Sequence, residues 1–463
     1  MGILSSAQPQ ISFNSIAQNL AKPVSVANAG DGSGRLFIVE QDGLIKIFKN
    51  GNVLSKPFLD ISSLIKSARE YKGLFSIAFP ADYNIRRTFF VFYTNKEGAS
   101  VLARFKASKA NPDSAVFSSA VEVLSFSSTV GNGPHFGDLQ FGADGYLYVM
   151  LSDVSKPGLH NDFAQDGQSL LGKILRINVH VANAPYYKIP QDNPFVNNPS
   201  IRDEIWSLGI RNAWHWSFDR QTGDSWIADV GEDNLEEVNF TSPAQAKGAN
   251  YGWHCFEGND NYNTSGCGDR SNYVFPVFAY PHNTTNGGFA VIGGYVYRGN
   301  AYPALNGYYI CADYTTGNAW KIKPNASGNV DVSMQNDAPK TLTGFGESED
   351  GELYAVSLSG NLYRVQPGSS VTAAMQDDAV TANKNTQSFV YPTLVDNSTV
   401  TLDLKEVFQT ARLMDMQGHE IMRKTLNGQT GKVTMNFPRL QAGMYIVQLI
   451  GALTIQQKIY ITK

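Results

Sequence analysis

Charged residues, cysteines and long apolar runs are all scarce in this chain of 463 residues. Asp, Glu, Lys and Arg make up 17% of it, against about 25% in a typical globular domain, and the formal net charge is −4. This balance gives no electrostatic reason to expect nucleic acid or an anionic membrane as a partner. Because no run of about 18 apolar residues is present, no transmembrane helix is predicted.

The three cysteines, Cys255, Cys267 and Cys311, are too few for a disulfide scaffold. Cys255 and Cys267 bracket the segment "CFEGNDNYNTSGC" and either pair in an oxidising compartment or remain unlinked thiols. Cys311 lies in the strand pattern "YYICADY" and is predicted to be a small buried apolar residue. The histidines show no close metal-ligand spacing, so a zinc site is not predicted.

Glycine and aromatic residues are abundant, with 42 Gly, 22 Tyr and 26 Phe, which favours short strands joined by tight turns. A unit of turn, strand, turn and strand recurs six times. It occurs at 30–51, 84–108, 142–153 with 170–179, 219–240, 305–324 and 349–367. Repeated antiparallel units that cannot bury a face alone indicate blades around an axis, so a six-bladed β-propeller is predicted over residues 15–366. A sandwich or several small barrels would not explain the same motif recurring to the end.

The remaining segments divide by composition. Residues 1–14 form an N-terminal segment, and residues 367–388, almost without aromatic or branched apolar residues, are predicted to be a linker. Residues 389–463 alternate apolar and polar residues in "TVTLDL", "KVTMNF" and "MYIVQLI" and are predicted to form a small β-sandwich. The fold class is therefore all-β.

Ordered matches across the first module resemble the glucose/sorbosone dehydrogenase family. They include "GRLFIVEQDGLIKIFKNG", "HFGDLQFGADGYLYV", "SLLGKILRINV", "DEIWSLGIRNAWHWSFD" and "IGGYVYRG". "GIRNAWHWSFD" and "FGESEDGELY" are closer to the branch of hedgehog-interacting-protein-like sequences. The family resemblance implies a six-bladed propeller that uses pyrroloquinoline quinone (PQQ) and Ca²⁺.

The end of the chain, "LQAGMYIVQLIGALTIQQKIYITK", resembles a type IX secretion sorting domain of Bacteroidetes. Such a domain implies export across the outer membrane, with the secretion machinery as a partner and a secreted or cell-surface location. An ordinary carbohydrate-binding or adhesive β-sandwich is the alternative interpretation.

The resemblance implies a role for nine residues, and the family's chemistry explains each. Oxidation of a sugar needs a base for the hydroxyl proton, a cation beside the quinone oxygen and Ca²⁺ to hold the acidic cofactor. By position, the resemblance assigns catalysis to His135 (the base), Arg211 and Asp153, and cofactor binding to Arg211, Asn212 and Arg298. It assigns metal binding to Gly231 and Glu232, as carbonyl donors to the cofactor calcium, and to Glu237 and Tyr251 at a second, structural calcium site.

Several positions depart from the family's pattern. Thr341 and Thr343 stand where cofactor-binding members usually carry an Arg-x-Arg pair, Glu232 stands for a proline and Trp214 for a glutamine. Tyr71 and Pro134 replace polar groups expected near the sugar. Losing two cations from a pocket for a tri-carboxylate should weaken cofactor binding by several kcal/mol.

Three functions are consistent with these residues. The preferred one is a secreted PQQ- and calcium-dependent sugar (aldose) dehydrogenase, with a small-molecule sugar or glycan as substrate. The second is a non-catalytic propeller that binds glycans or proteins after loss of the cofactor contacts. A calcium-dependent lactonase-type hydrolase is the third. Thr341 and Thr343 favour the second function, whereas His135, Arg211 and Asn212 favour the first.

Overall fold

The computed structural model describes residues 9–65, 72–126, 136–153, 162–368, 389–391, 394–395, 398–404, 407–415, 419–441, 443–451 and 454–461. The chain divides into two compact units, Met1–Val371 and Thr372–Lys463. No helix in these described ranges is long and apolar enough to cross a membrane.

The described part of the first unit contains six antiparallel sheets of four or five strands, each of which we call a blade, and one separate two-stranded hairpin. The first strand of the chain is β1 (Ile11–Ala17). Blade 1 comprises β2 (Pro23–Asn28), β3 (Leu36–Glu40), β4 (Leu44–Lys49), β5 (Asn52–Val53) and β6 (Leu59–Asp60). Blade 2 comprises β7 (Leu74–Ala78), β8 (Thr88–Thr94), β9 (Ser100–Ala107) and β10 (Ala115–Phe126). Blade 3 comprises β11 (Gly137–Phe141), β12 (Leu147–Leu151), β13 (Lys173–Ile177) and β14 (Ile205–Leu208).

The second half of the unit repeats this arrangement. Blade 4 comprises β15 (Ala213–Phe218), β16 (Ser225–Asp229), β17 (Leu235–Thr241) and β20 (Phe278–Pro281), with a separate hairpin of β18 (Phe256–Glu257) and β19 (Asp260–Asn261). Blade 5 comprises β21 (Val291–Val296), β22 (Tyr309–Asp313), β23 (Ala319–Pro324) and β24 (Val330–Gln335). Blade 6 comprises β25 (Leu342–Glu347), β26 (Leu353–Ser357), β27 (Asn361–Pro367) and β1. The described helices are the single turns α1 (Tyr83–Arg86) and α2 (Pro243–Ala246) and four 3₁₀ turns at Ser62–Leu64, Asp162–Ala164, Arg270–Asn272 and Pro303–Leu305.

The ring closes by joining both ends of the unit in one blade. Strand β1 pairs antiparallel with β27, placing Ile11 opposite Pro367. The all-β, six-bladed propeller predicted from the repeats is thereby confirmed. Its N-terminal boundary lies before Ile11 rather than at residue 15, because the outer strand of blade 6 comes from the start of the chain. A single 11–17 segment carries no repeat signal of its own, so the periodicity missed it.

The first strand of each blade lines a central channel, and these six inner strands run in the same direction. A side chain at Gly344 would come within 2.3 Å of the Val24 carbonyl oxygen, and one at Gly346 within 2.1 Å of that of Val26. Glycine is therefore required where β25 lies against β2. We call the end of the channel at which the inner strands begin the mouth, and the other end the lower end.

The hydrophobic core lies between neighbouring blades. Strands β3, β12, β13, β16 and β22 are buried at every residue. These strands are buried throughout because each blade packs against a neighbouring blade on both faces. Phe37, Phe58 and Phe89 pack between blades 1 and 2, and Trp226 stacks on Tyr309 between blades 4 and 5 with 4.5 Å between ring centroids.

The second unit is a small sandwich of two sheets. One sheet contains β28 (Phe389–Tyr391), β30 (Thr399–Leu404) and β33 (Gly431–Asn436). The other contains β29 (Leu394–Val395), β31 (Phe408–Met414), β32 (Glu420–Thr425), β34 (Gly443–Gly451) and β35 (Thr454–Ile461). Its core includes Leu402, Phe408, Met435 and Val447. The alternation in the sequence predicted this module correctly.

Candidate functional site at the mouth of the channel

The loops at the mouth of blades 3 and 4 bring six of the nine assigned residues into one region. Arg211 and Asn212 immediately precede the inner strand β15. Asp153 follows β12, which runs antiparallel to β11 and so ends at the mouth. The turn from β16 to β17 supplies Gly231 and Glu232. Glu237, in β17, pairs in register with Asp229.

His135, the assigned base, lies outside the described residues, as do Pro134 and Tyr71. The next residue, Phe136, is fully buried and stacks on Trp214, with 4.4 Å between ring centroids. Trp214 Nε1 donates to the carbonyl of Thr343 at 2.8 Å. The tryptophan that replaces the family's glutamine therefore packs across the channel as part of the core.

Arg211 is held by protein groups on nearly every side. Its Nη1 donates to the Val230 carbonyl at 2.6 Å, and its Nη2 pairs with the carboxylate of Glu232. The guanidinium carbon lies 5.3 Å from the centroid of the Trp253 ring. The Arg211 and Glu232 side chains are only 7% and 8% exposed, so the ion pair is buried.

Asp153 and Trp253 close the region beside Arg211. Asp153 is fully buried, its backbone N–H donates to the Arg211 carbonyl at 2.8 Å, and its Oδ2 accepts from Trp253 Nε1 at 3.0 Å. A second cation near the mouth, Lys173, donates from Nζ to the carbonyls of Phe163 and Leu171 at 2.5 and 2.8 Å. Burial lowers the pKa of Lys173 to about 7.

Three further carboxylates, those of Asp229, Glu237 and Glu257, lie close to the Arg211–Glu232 ion pair. Asp229 accepts the backbone N–H groups of Arg211 and Asn212 at 2.8 and 2.6 Å, yet burial outweighs these bonds and raises its pKa. Burial, together with the charge of Asp229, also raises the pKa of Glu237.

The third carboxylate, Glu257, is bound by its own loop. One of its oxygens accepts the backbone N–H groups of residues 232–235 at 2.7–3.3 Å. Burial alone would raise the pKa of Glu257, but these bonds lower it. The turn that the resemblance assigned to calcium thus wraps a protein carboxylate.

Two assigned residues are placed elsewhere. Arg298 lies beyond the end of β21, toward the lower end, and binds Asp219 through Nε and Nη2 at 2.9 and 2.5 Å. The Tyr251 hydroxyl lies 2.9 Å from Thr241 Oγ1, at the far end of β17 from Glu237. The structure therefore does not bring Arg298 to Arg211, and it directs the Tyr251 side chain away from Glu237.

Thr341 and Thr343 occupy the positions of the family's Arg-x-Arg pair, and both have partners within the protein. Thr343 is buried, and its hydroxyl donates to the Pro23 carbonyl at 2.6 Å. Thr341 adopts a positive φ of 59° and donates its N–H to Tyr314. Around Arg211, Asp229, Gly231, Glu237, Trp253 and Glu257 the described residues enclose about 10 Å³, which is room for about one water molecule.

The family resemblance gave no role to a polar cluster deeper in the channel. His215 Nδ1 lies 3.1 Å from Asp138 Oδ2, and its Nε2 lies 2.9 and 3.1 Å from the carbonyls of Val24 and Thr343. Ser76 Oγ donates to the other Asp138 oxygen at 2.7 Å. The only sequence signal was a histidine inside the apolar strand pattern "AWHWSF". This cluster borders a polar cavity of about 230 Å³ at the lower end.

The segment near the mouth that follows Trp253 is cross-linked. Cys255 and Cys267 form a disulfide, with 6.1 Å between their Cα atoms, whereas Cys311 is free and buried. Of the two alternatives left open by the sequence, the structure has the paired one.

Replacing both Cys255 and Cys267 by serine is expected to lower the free energy of unfolding by about 2–3 kcal/mol, because a short closed loop restricts the unfolded chain. Urea unfolding followed by tryptophan fluorescence measures the change. Cys311→Ala, which removes the free thiol, is the matched control. An unchanged midpoint for the double serine variant would contradict the expectation.

Comparison with known proteins agrees with this architecture. The family model described as Glucose / Sorbosone dehydrogenase matches residues 20–364, and the Secretion system C-terminal sorting domain matches residues 390–462. The chain is 34% identical to the HIPL2 protein of Arabidopsis thaliana over 55% of this chain and 42% of that protein. It is 29% identical to the Hedgehog-interacting protein of Homo sapiens over 76% of this chain and 51% of that protein.

A solved structure shows the same fold. The soluble aldose sugar dehydrogenase of Escherichia coli, in its apo-form, superposes with a TM-score of 0.63 at 23% identity, covering 78% of this chain and 100% of that one. The chain spans about half the length of the curated relatives it matches. The sorting domain indicates type IX secretion, so the protein is secreted or exported to the cell surface.

Proposed function

Because this chain belongs to the glucose/sorbosone dehydrogenase family, we propose that it keeps the family's propeller as an exported binding protein and does not use PQQ at the mouth. The observation that carries the proposal is the buried ion pair between Arg211 and Glu232. It neutralises the one assigned cofactor cation that lies at the mouth. The ligand class that we propose is a glycan or a protein.

The chemistry of PQQ makes this ion pair important. A cofactor with three carboxylates needs uncompensated cations to balance the cost of leaving water. Arg211 donates to Val230 and Glu232, and Lys173 donates to two carbonyls. Asp153, Asp229 and Glu257 add negative charge to the same region, which opposes an anionic ligand. The described residues do not fit PQQ.

The carboxylates of two assigned calcium ligands also have partners within the protein. Glu232 faces Arg211, and the oxygens of Glu237 accept from Asn239 Nδ2 and the Gly258 N–H at 2.7 and 2.8 Å. In the described part of the chain, no group of three or more His, Cys, Asp or Glu side chains is arranged to hold a metal ion. The Glu232 and Glu237 carboxylates are therefore engaged within the protein and do not face an open cation site.

A PQQ- and calcium-dependent sugar dehydrogenase is the second candidate, and one observation favours it. Arg211 Nε and Asn212 Oδ1 are buried and have no hydrogen-bond partner among the described residues. Buried polar groups normally have hydrogen-bond partners. A bound ligand could therefore accept from Arg211 Nε and donate to Asn212 Oδ1. The base of that reaction would be His135.

Titrating the full-length protein with PQQ and Ca²⁺ separates the two candidates. We expect no saturable change in PQQ absorbance at micromolar cofactor and no aldose-dependent dye reduction. Glu232→Gln removes the carboxylate that neutralises Arg211 and is expected to bind PQQ more tightly than the native chain. Saturable PQQ binding with dye reduction by the native protein would establish the dehydrogenase instead. Loss of that activity in His135→Ala would then identify its base.

A further inference from the structure

A basic groove opens between blades 2 and 3, at the end of the propeller opposite the mouth. Its cavity has a volume of about 390 Å³ and is lined by Asp82, Arg86, Arg104, Lys106 and His180, with Pro80, Phe90 and Val179 as apolar walls. Helix α1 follows the inner strand β7, and Lys106 lies near the end of β9. Both positions belong to the lower end of blade 2.

The groove continues past the segment 179–182. A second cavity, of about 480 Å³, is lined by His180 and Lys188 and shares the segment 180–182 with the first. Two adjoining cavities on one loop provide a path long enough for several units of a polymer. A single small ion would not need both.

Cations outnumber acids in the groove. The only carboxylate among the described lining residues is Asp82, which is paired with Arg86 Nε at 2.5 Å. Arg104 donates Nη1 to the Val181 carbonyl at 2.7 Å and lies 5.2 Å from the centroid of the Tyr186 ring, which fixes its position. Lys106 is exposed, and its Nζ has no acceptor among the described residues. The positive charge therefore exceeds the negative in a chain whose formal net charge is −4.

We propose that this groove binds the carboxylate or sulfate groups of an acidic glycan. Arginine forks and lysine ammonium groups are the side chains that recognise such oxyanions. The apolar walls formed by Pro80, Phe90 and Val179 can pack against the C–H faces of sugar rings. An exported protein meets such polymers outside the cell. This site is separate from the mouth, so it does not depend on the proposed function there.

Binding of polygalacturonate to the full-length protein, measured by calorimetry at low and high salt, tests the groove. We expect saturable binding at low salt that weakens as salt screens the charges. Lys106→Gln should reduce the affinity about threefold, and Lys106→Glu about tenfold, since one exposed contact is worth up to about 1 kcal/mol and the second variant adds a repulsion.

Lys96→Gln is the matched control, because Lys96 is an exposed lysine of the same blade in the turn between β8 and β9, at the mouth end. It changes the net charge equally and should leave binding unchanged. Equal losses of affinity in Lys96→Gln and Lys106→Gln would overturn the proposal that the groove is the binding site. The absence of binding at low salt would also overturn it. Dextran sulfate in place of polygalacturonate distinguishes sulfate from carboxylate recognition. Inorganic sulfate or a single-stranded oligonucleotide binding more tightly than either glycan would overturn the ligand class.

Discussion

His215→Asn is expected to lower the free energy of unfolding of the propeller by about 3–5 kcal/mol, the usual cost of breaking a buried ion pair. His215 has a φ of 71°, a conformation that asparagine tolerates well, so the variant tests the ring and not the backbone. The ring joins four inner strands, and Ser76 adds a fifth: His215 is on β15, Asp138 on β11, Val24 on β2 and Thr343 on β25.

The charge state of the ring explains this magnitude. Both ring nitrogens face acceptors only, a carboxylate on one side and two carbonyls on the other, so both carry a proton. Burial alone lowers the pKa of His215, but the charge and hydrogen bond of Asp138 outweigh it and raise the pKa above the usual value. The stabilisation is then complete below about pH 6.5 and is lost as the pH rises through the raised pKa.

Urea unfolding followed by tryptophan fluorescence measures this effect on the propeller alone, because all six tryptophans lie between residues 206 and 320. Ser76→Ala, which removes one hydrogen bond from the same network, should cost only about 1 kcal/mol. Native and His215→Asn proteins should converge in stability at alkaline pH. Two results would contradict a doubly protonated His215 ring: a loss of unfolding free energy below about 1 kcal/mol at pH 6, or a stability difference between the two proteins that grows with pH.

Arg211→Met is expected to destabilise the protein by about 3 kcal/mol, because Glu232 would be left as a buried charge without its partner. The second change Glu232→Gln should recover most of this loss. Together with the single Glu232→Gln variant, these proteins form a double-mutant cycle whose coupling energy should lie between about 0.5 and 3 kcal/mol. Chemical denaturation of all four proteins at neutral pH measures the cycle.

The sign of the Arg211→Met effect also bears on function. A cation kept in place for an absent anionic ligand is a source of instability, and its removal commonly stabilises a protein. Stabilisation by Arg211→Met, with no coupling to Glu232, would therefore favour the cofactor-binding candidate. Destabilisation with strong coupling would favour the structural ion pair on which the binding-protein proposal rests.

The mouth shows where sequence reasoning was sufficient and where it was not. The family resemblance assigned roles to Arg211, Asn212, Asp153 and Glu232, and the structure places all four at one end of the channel. The departures at Thr341 and Thr343 were also visible in the sequence. The pairing of Glu232 with Arg211 was not visible, because it depends on side chains 21 residues apart meeting across a turn.

Arg298 shows most clearly that a sequence motif does not place a residue at a given end of the channel. Its motif matched the family, but strand direction decides which end of the channel a residue reaches, and Arg298 follows an inner strand where Arg211 precedes one. The Asp138–His215 cluster left only one local signal, a histidine in an apolar strand pattern, because the partners of His215 come from three other strands.

The sequence by itself determined the all-β class and the six blades, since turn and strand periodicity are local properties. Its resemblance to known families identified the sorting domain. Only the tertiary structure decided the closing strand β1, the end of the channel that each residue reaches and the partner of each charge. The physical reason is that burial and ion pairing depend on distances between separate blades, which no spacing along the chain records.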